Sequence, residues 1–311
     1  MRGQSLTSKV GRWLDEKSVY RQKLYNIALG IDRQYYSLRF DDLGECFVTE
    51  EWDTLVILDA AHRKYLRETD AFEEGKWETR CAPGSYSFGF MRSEFVGRNL
   101  HDIVYITANP HVAKLDDEIF HAVVNLYDTA WNNEARTVKP EEVTEATKRA
   151  RREYQKKRFI VHFMQPHFPF IGPEHGNEVE AALAYEHGDG TTVHPWTNQI
   201  FGRGVSREKL LAAYRENHDV VAPYAKEVVA GEDGVAIITA DHSNLIGERG
   251  FPIPIRLYGH PKEFFHPDLL KVPWLEFGDI RRETFSEEPT ETNQNVDDEI
   301  LENRMKALGY R

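Results

Sequence analysis

The sequence predicts an α/β fold in which a mostly parallel central sheet lies between layers of helices. Four short runs are rich in apolar and β-branched residues, which is typical of strands buried on both faces of a parallel sheet. Helical patterns separate these runs, and strands that alternate with helices indicate a sheet covered on both sides. The four runs are residues 53–61, 102–109, 158–165 and 234–241.

The predicted helices follow the runs in chain order. Residues 1–45 show helical spacing of apolar side chains and predict an N-terminal helical cap. Pro140 and Ser206 stand where helices start, which agrees with the preferences for proline and serine at those positions. The helical patterns within the α/β region are 87–99, 118–131, 140–157 and 206–230.

Two segments lack regular periodicity. Residues 172–204 are rich in Gly, His and Pro and predict a long loop over the site or a variable insertion. After Phe277 the composition becomes polar and acidic, which predicts a flexible tether. Residues 296–310 regain helical spacing, so a last helix either docks on the body or forms a homodimer. We therefore divide the chain into a cap (1–45), a catalytic domain (46–280) and a tether with a C-terminal helix (281–311).

The composition excludes several classes of protein. The chain has 39 Lys+Arg against 51 Asp+Glu, a net charge of −12, which argues against nucleic acid as a partner. The basic run at 148–158 is expected to be a solvated helix face. Two cysteines suit a reducing compartment, and no apolar run approaches the ~20 residues of a membrane helix. With no signal-peptide pattern at the N-terminus, we expect a cytoplasmic protein.

Polar side chains stand at the carboxyl end of each predicted strand. In open α/β sheets these ends meet at one edge, where ligands bind. The sequence therefore predicts a site at this edge. The residues concerned are Asp59, Asn109, His162, His167, Asp241 and His242.

A carboxylate at one strand end and an Asp-His pair at another suggest a metal site. Asp59, Asp241 and His242 offer oxygen and nitrogen ligands, a mixed set that suits zinc or manganese, with magnesium and calcium as alternatives. His162 lies inside an apolar run and is more typical of a hydrogen-bonded core histidine. His167 lies just past the strand and is the better candidate for a ligand or an anion contact.

The segment 84–87, Gly-Ser-Tyr-Ser, precedes a helical pattern. A serine at a helix N-terminus is a candidate nucleophile, because free backbone N–H groups there stabilise negative oxygens and a metal can activate the hydroxyl. For Ser87 alone, a role as an ordinary N-cap is the simpler interpretation.

Taken together, these motifs resemble the alkaline phosphatase and sulfatase superfamily, especially its small archaeal sulfatase-like members. The resemblance covers residues 50 to 310 and implies an alkaline-phosphatase-like three-layer sandwich. The matching segments, in the family's order, are WDTLVILDA at 52–60, ITANP at 106–110, MQPHFP at 164–169, TADH at 239–242 with GE at 247–248, YGHP at 258–261, VPWLE at 272–276 and ALGY at 307–310.

The resemblance also implies roles for individual residues. Asp59, Asp241 and His242 would hold one divalent ion, and His167 and His260 would complete a second metal site or bind the anion. Asn109 and His162 are further candidates for contact with the substrate. The family's nucleophile segment matches Gly84-Ser85-Tyr86-Ser87, and Ser85 is slightly favoured because capping already explains Ser87.

Three departures from the family pattern refine the expected chemistry. Ala60 stands where many sulfatases carry a second aspartate, and Ser243 stands where the family has glycine. Cys81-Ala-Pro-Gly-Ser85 lacks the arginine of the sulfatase motif C-x-P-x-R. We therefore expect a metal-dependent hydrolase of phosphate esters with a serine nucleophile. The alternatives are a sulfatase that uses Cys81 and a non-catalytic metal- or glycan-binding member.

Overall fold

The computed structural model describes residues 6–40, 43–116, 118–186, 194–290 and 297–310. The strands are β1 Thr54–Leu58, β2 Lys76–Cys81, β3 Leu100–Thr107, β4 Phe120–Asn125, β5 Trp131–Asn132, β6 Thr137–Val138, β7 Arg158–Phe163, β8 Ala236–Thr239, β9 Leu245–Arg249, β10 Arg256–Gly259 and β11 Lys271–Phe277. The helices are α1 Leu6–Phe40, α2 Arg63–Glu68, α3 Ser87–Phe95, α4 Leu126–Thr129, α5 Pro140–Glu153, α6 His175–Glu186, α7 Pro195–Ile200, α8 Arg207–Ala230, α9 Pro267–Leu270 and α10 Asp298–Ala307.

A seven-stranded sheet in the order β2-β11-β8-β1-β7-β3-β4 forms the centre of the fold. The strands from β8 to β4 pair in parallel, and β11 runs antiparallel between β8 and β2. The four predicted runs are the four strands β1, β3, β7 and β8. The prediction of a mixed α/β fold with a mostly parallel central sheet is confirmed.

Helices cover both faces of the sheet, and this explains the apolar runs. On one face, α5 and α8 pack against β3, β7, β1 and β8. On the other, Phe95 of α3 contacts Tyr105 and Phe120 with ring centroids 5.6 and 5.1 Å apart. Side chains of β1 such as Val56 and Ile57 are fully buried, and each contributes about 1.5–3 kcal/mol.

The predicted helix at 118–131 is wrong. Phe120–Asn125 forms β4, and only Leu126–Thr129 is helical. Ala122 and Val123 of β4 pair with Val104 and Tyr105 of β3. This strand lies at the sheet edge with a mixed sequence, so pairing with a distant strand, rather than local periodicity, determines its conformation.

The predicted loop at 172–204 is also wrong, because it contains α6 and α7. Val179 and Leu183 of α6 are buried in a cluster with side chains of α8. The carboxylate of Glu216 on α8 accepts hydrogen bonds from the first amides of α6, at 174–176. This external cap replaces a local start signal, which is why composition alone suggested a loop.

Residues 278–290 were expected to form a flexible tether, yet they run as a strap along the amino ends of the parallel strands. Arg281 and Arg282 bond to Asp53, which precedes β1. Further along, backbone amides of the strap donate to carbonyl oxygens beside β7, β3 and β4. The pairs are Phe285 with Lys156, Glu287 with His101 and Thr290 with His121.

The helix predicted in the N-terminal cap is α1, and its second half packs on the body. Tyr36 is buried in a cluster with Leu245, Leu257 and Phe264. The carboxylate of Asp32 accepts the amide of Ile253 at 2.8 Å. Among the described helices, none combines the length and apolar character that crossing a membrane requires.

We expect replacement of Asp53 by alanine to destabilise the fold by about 3 kcal/mol. Asp53 is fully buried and accepts hydrogen bonds from the Val235 amide, the Arg281 side chain and the Arg282 amide, so its loss would release the strap and leave buried donors without partners. The measurement is urea unfolding of Asp53→Ala beside Asp279→Ala, a substitution at an exposed position. Equal unfolding midpoints for both variants would contradict this role.

Candidate functional site

The carboxyl ends of four strands bring polar side chains into contact, as the sequence predicted. Asp59 follows β1, Asn109 follows β3, His162 ends β7, and Asp241 follows β8. The Asn109 side-chain amide donates to Asp59 Oδ2 at 2.6 Å, and His162 Nε2 lies 3.7 Å from the same oxygen. The Ala60 amide donates to Asp241 Oδ1 at 2.9 Å and links the ends of β1 and β8.

Asp59, His162 and Asp241 form a candidate metal site. One ligand atom from each residue lies within 4.8 Å of the others, and all three side chains are buried. Asp59 Oδ1, His162 Nε2 and Asp241 Oδ2 have no hydrogen-bond partner. An unsatisfied buried polar atom costs about 1–3 kcal/mol, and more when charged, so a bound cation would relieve this cost. Two carboxylates and one imidazole suit zinc or manganese, and the residues present therefore fit a divalent ion.

His162 combines the two roles that the sequence left open. Its Nδ1 lies 2.7 Å from the Tyr105 hydroxyl, as expected for a satisfied core histidine. Burial raises the pKa of Tyr105, so the hydroxyl stays neutral and can accept the Nδ1–H. With the proton on Nδ1, the Nε2 atom of His162 carries a free lone pair. This nitrogen faces Asp59. The sequence analysis placed His162 among the candidates for contact with the substrate, whereas its position beside Asp59 and Asp241 makes it a candidate metal ligand.

His242 lies close to both carboxylates of the candidate metal site. Its Nε2 lies 3.3 Å from Asp241 Oδ2 and 3.9 Å from Asp59 Oδ1. Its Nδ1 lies 2.9 Å from the Ser243 carbonyl, which fixes the ring. The Ser243 amide in turn donates to the Leu269 carbonyl, while the Ser243 hydroxyl is buried without a hydrogen-bond partner.

Ser87 reaches this centre and Ser85 does not. The Ser87 hydroxyl donates to Asp59 Oδ2 at 3.1 Å and lies 3.4 Å from His242 Nε2. Ser85 Oγ instead accepts the Phe264 amide at 3.0 Å and lies 3.5 Å from the Pro261 carbonyl. The N-cap of α3 is Tyr86, and Ser87 is its first helical residue. The capping argument that favoured Ser85 is therefore wrong.

Three histidines line the next layer of the site. The rings of His167, His194 and His260 lie with centroids 5.1–6.2 Å apart, and His260 stacks 4.5 Å from His242. Nε2 of His167 and of His194 is buried without a partner, while His260 Nδ1 bonds to Asn244. Burial lowers the pKa of each of the three rings, so they are neutral at pH 7. Within the described residues, His260 is not part of the candidate metal group formed with Asp59.

The two carboxylates of the centre differ electrostatically. Burial acts to raise the pKa of Asp59, but His167, His162 and His242 lower it overall. Burial, followed by the charge of Asp59, raises the pKa of Asp241. A divalent cation would favour the charged form of both groups.

Ala60 connects the carboxylates through a strained backbone. Its φ is 58°, in the left-handed region that costs a residue with a Cβ about 1–2 kcal/mol. The Ala60 amide holds Asp241, and its carbonyl accepts the hydroxyl of Tyr214 from α8. The Ala60 backbone therefore orients the Asp241 carboxylate and connects it to α8.

Tyr310 is a site residue that sequence reasoning missed. Its hydroxyl lies 3.5 Å from Ser87 Oγ, and its ring stacks on His167 at 5.2 Å. Gly309 before it has φ +83°, and a Cβ there would come within 2.3 Å of the His194 ring. The only signal was the ALGY segment at 307–310, which matched the family without suggesting a role.

Cys81 does not lie where a nucleophile is needed. Cys81 is the last residue of the edge strand β2, where it pairs with Lys271 of β11. Its backbone amide donates to the Glu45 carboxylate. Burial, with Glu45 beside it, raises the pKa of the thiol and disfavours the thiolate. Within the part of the chain that the structure describes, the contacts of Cys81 do not include Asp59 or Asp241. This position does not favour the sulfatase alternative.

A cavity of about 690 Å³ opens beside the site. His260 and Tyr310 border it on the side of the centre, and α1 forms the opposite wall through Tyr25 and Asn26. Trp196 of α7 adds a further aromatic surface. A cavity of this size accommodates the organic part of a small ester.

No protein-family model matches the sequence, and no curated protein matches it. Several solved structures are similar to the fold at low identity. The C-terminal periplasmic domain of EcEptC from Escherichia coli, in complex with Zn, is 14% identical, with 76% of this chain and 75% of that chain covered and a TM-score of 0.46. The phosphonate monoester hydrolase SpPMH from Silicibacter pomeroyi is 12% identical, with 84% and 74% covered and a TM-score of 0.41.

A protein in the alkaline phosphatase superfamily from Vibrio parahaemolyticus is 14% identical, with 82% of this chain and 70% of that chain covered and a TM-score of 0.40. These three neighbours are bacterial, so the archaeal part of the resemblance stays a prediction. Since all three TM-scores lie below 0.5, the function proposed below rests on the site itself.

We expect Tyr105→Phe to weaken metal binding about 10- to 100-fold. The substitution keeps the ring but removes the acceptor that orients His162. Isothermal titration of the purified chain with Mn²⁺ or Zn²⁺ measures the effect, with Asp241→Asn expected to abolish binding. Tyr224→Phe on α8 is the matched control, because its ring packs against the core away from the carboxylates. An unchanged affinity for Tyr105→Phe would show that His162 is not a ligand.

Proposed function

We propose that this chain is a metal-dependent hydrolase of phosphate esters with Ser87 as its nucleophile. The observation that carries the proposal is the position of Ser87, whose hydroxyl donates to the buried carboxylate of Asp59 at the N-terminus of α3. Asp59, Asp241 and His162 would hold the divalent ion, with His242 beside them. The geometry and the ordered motifs together support membership of the alkaline phosphatase and sulfatase superfamily.

The chain's own residues prepare Ser87 for attack. The Ser87 hydroxyl donates a hydrogen bond to Asp59 Oδ2, and the Asn109 amide donates to the same oxygen, so the carboxylate is held in one orientation. A bound divalent ion would lower the pKa of the attacking hydroxyl and neutralise charge on the ester oxygens. The Ser87 Oγ–phosphorus bond then forms while the bond from phosphorus to the ester oxygen breaks, and the alcohol leaves with the proton that Ser87 has lost.

The transferred phosphoryl group meets donors as its negative charge develops. The first amides of α3 have no partner within the helix, and they are the free donors at the helix end that carries Ser87. Burial, and then Asp59, raises the pKa of Tyr310, so its hydroxyl remains a neutral donor near Ser87 Oγ. Water then attacks the phosphoseryl group, and phosphate leaves.

Burial also explains why the neighbouring histidines suit an anion. His167 and His260 are neutral, so they contribute ring N–H groups rather than full charges. The organic part of the ester would lie in the cavity between His260, Tyr310 and α1. The substrate of this chain would therefore be a small-molecule or glycan ester.

We expect Ser87→Ala to lower kcat/KM for an aryl phosphate or phosphodiester at least 1000-fold, roughly the loss found when a nucleophile is removed. Ser85→Ala is the matched control. It should cost about 1 kcal/mol of stability, because Ser85 accepts the Phe264 amide, and it should retain activity. The assay uses p-nitrophenyl phosphate and its diester with Mn²⁺ or Zn²⁺.

Three outcomes would contradict the proposal. Loss of activity in Ser85→Ala alone would make Ser85 the nucleophile. Faster cleavage of an aryl sulfate than of the phosphate, with a modified Cys81, would favour the sulfatase. Metal binding without hydrolysis of any ester would favour the non-catalytic alternative.

We expect Tyr310→Phe to lower kcat about 100-fold with little change in KM, the effect of losing one donor to transition-state charge. The phenylalanine keeps the ring that stacks on His167, so the variant tests the hydroxyl alone. Steady-state kinetics with the same aryl phosphate separate the two constants, and Tyr154→Phe, at the residue that follows α5, is the control. A wild-type kcat would show that the hydroxyl takes no part in turnover.

A further inference from the structure

The cavity beside the site is lined by lysines and, among the described residues, by no carboxylate. Lys262 and Lys306 belong to its wall, and none of the described residues there is Asp or Glu. The chain as a whole has a net charge of −12, so this wall differs from the average surface of the molecule. Lys306 pairs with Glu302 at 2.6 Å within α10. The charge of the wall therefore favours an anionic ligand over a cationic one.

Lys262 lies close to the reacting centre along the chain. Two residues before it, the ring of His260 lies 4.5 Å from that of His242, measured between centroids. Consecutive Cα atoms are about 3.8 Å apart, so the Cα of Lys262 lies within about 7.6 Å of that of His260. The carbonyl of Pro261 lies 3.5 Å from Ser85 Oγ, which keeps this segment beside the start of α3. A molecule that reaches from the centre to Lys262 is therefore small.

A second lysine lies beside the residue that follows the nucleophile. The ammonium of Lys114 is 5.2 Å from the centroid of the Phe88 ring, and Phe88 follows Ser87 in α3. Within the ranges that the structure describes, no carboxylate forms an ion pair with Lys114. Asp116, two residues away, turns its carboxylate to the amide of Glu118 at 3.2 Å. The charge of Lys114 is therefore available to a ligand.

His111 connects the lysines to the site. Its ring lies 4.5 Å from that of Tyr310 and 5.9 Å from that of Phe88. The side chain is 3% exposed, and its Nδ1 has no hydrogen-bond partner. Burial, and then the charge of Lys114, lowers the pKa of His111 to about 3, and Lys262 acts in the same direction. The neutral ring can therefore donate an N–H to an anion that the lysines attract.

We propose that Lys114, Lys262 and His111 form a subsite for a second anionic group, a phosphate or a carboxylate on the organic part of the ester. This inference rests on the proposed function and adds the class of substrate, a small ester with one anionic group at Ser87 and another at the lysines. Burial, and then Lys262, lowers the pKa of Lys114, so the two charges interact. An anion beside both lysines would relieve their repulsion.

The subsite differs from the position of the transferred phosphoryl group. Against the effect of burial, His167 and two further histidines lower the pKa of Asp59, whereas the two lysines act on His111. Under the proposed function, the transferred oxygens meet the amides of α3 and the Tyr310 hydroxyl. Lys262 instead lines the cavity that would hold the organic part. The lysines would therefore select the substrate by its second charge.

Three aryl esters that differ in one substituent test this selection. They are phenyl phosphate, p-carboxyphenyl phosphate and p-phenylene bisphosphate, and aryl groups suit a cavity with Trp196 and Tyr258 in its wall. Both lysines are exposed, so we expect kcat/KM to be about 10-fold higher for an ester with a second anion than for phenyl phosphate. Added KCl should reduce this preference by screening. A preference for the bisphosphate alone would identify the second group as phosphate, and one for the carboxyphenyl ester as carboxylate.

The double variant Lys114→Gln/Lys262→Gln tests the residues. It should lower the ratio of kcat/KM for the preferred ester to kcat/KM for phenyl phosphate about 10-fold, because glutamine removes both charges. Lys226→Gln is the matched control, an exposed lysine of α8 outside the cavity wall, and should keep the wild-type ratio. A wild type without a preference, or a preference that the double variant keeps, would overturn the proposal. An equal loss with all three esters would assign the lysines to the transferred phosphoryl group and also overturn it.

A binding measurement separates this proposal from the proposed function. Isothermal titration of Ser87→Ala in the presence of Mn²⁺ measures the Kd of p-phenylene bisphosphate and of phenyl phosphate without turnover. A Kd about 10-fold lower for the bisphosphate, lost when both lysines are also replaced, would support the subsite even in a chain that hydrolyses none of the esters. Hydrolysis of phenyl phosphate without any preference in rate or in binding would support the proposed function and overturn the subsite.

Discussion

The buried carboxylate of Asp59 is the constraint on which the site depends. A charged group without water is costly unless hydrogen bonds and opposite charge compensate it. Ser87 and Asn109 donate to one oxygen, while the other oxygen has no partner and faces Asp241 and His242. The fold thus compensates one oxygen and leaves the other to a cation, so under the proposed function the same carboxylate would hold both the nucleophile and the metal.

The central part of this arrangement could be predicted from the sequence. Asp59, Asn109 and Asp241 each follow an apolar run, and parallel topology alone requires their strand ends to meet. The choice between Ser85 and Ser87 could not be predicted, because it depends on where α3 begins. The helix starts one residue earlier than a capping role for Ser87 would require, so Ser87 is its first residue. In that position its hydroxyl donates to Asp59, while Ser85 accepts the Phe264 amide.

Tyr310 and the strap lay beyond sequence reasoning for a different reason. The strap is held largely by backbone amides, which any sequence possesses, so its acidic composition indicated a tether. Tyr310 contacts Ser87 across 223 residues of chain, and no local pattern encodes such a contact. Likewise the helix α6 owes its first turn to Glu216, a residue about 40 positions away whose carboxylate accepts the amides at 174–176.

The strap also links stability to chemistry. It crosses the amino ends of the strands, where Asp53 fixes Arg281 and Arg282, and the chain then returns to the carboxyl ends as α10. The C-terminal segment that packs along the amino ends of the strands therefore also carries Tyr310, whose hydroxyl lies at their carboxyl ends. Gly309 has a φ of +83°, and a side chain there would clash with the His194 ring, so only glycine lets the chain pass this close to His194 before Tyr310. Since the strap and Tyr310 belong to the same C-terminal segment, a substitution that releases the strap at the amino ends should also loosen Tyr310 beside Ser87, without touching any residue of the candidate site.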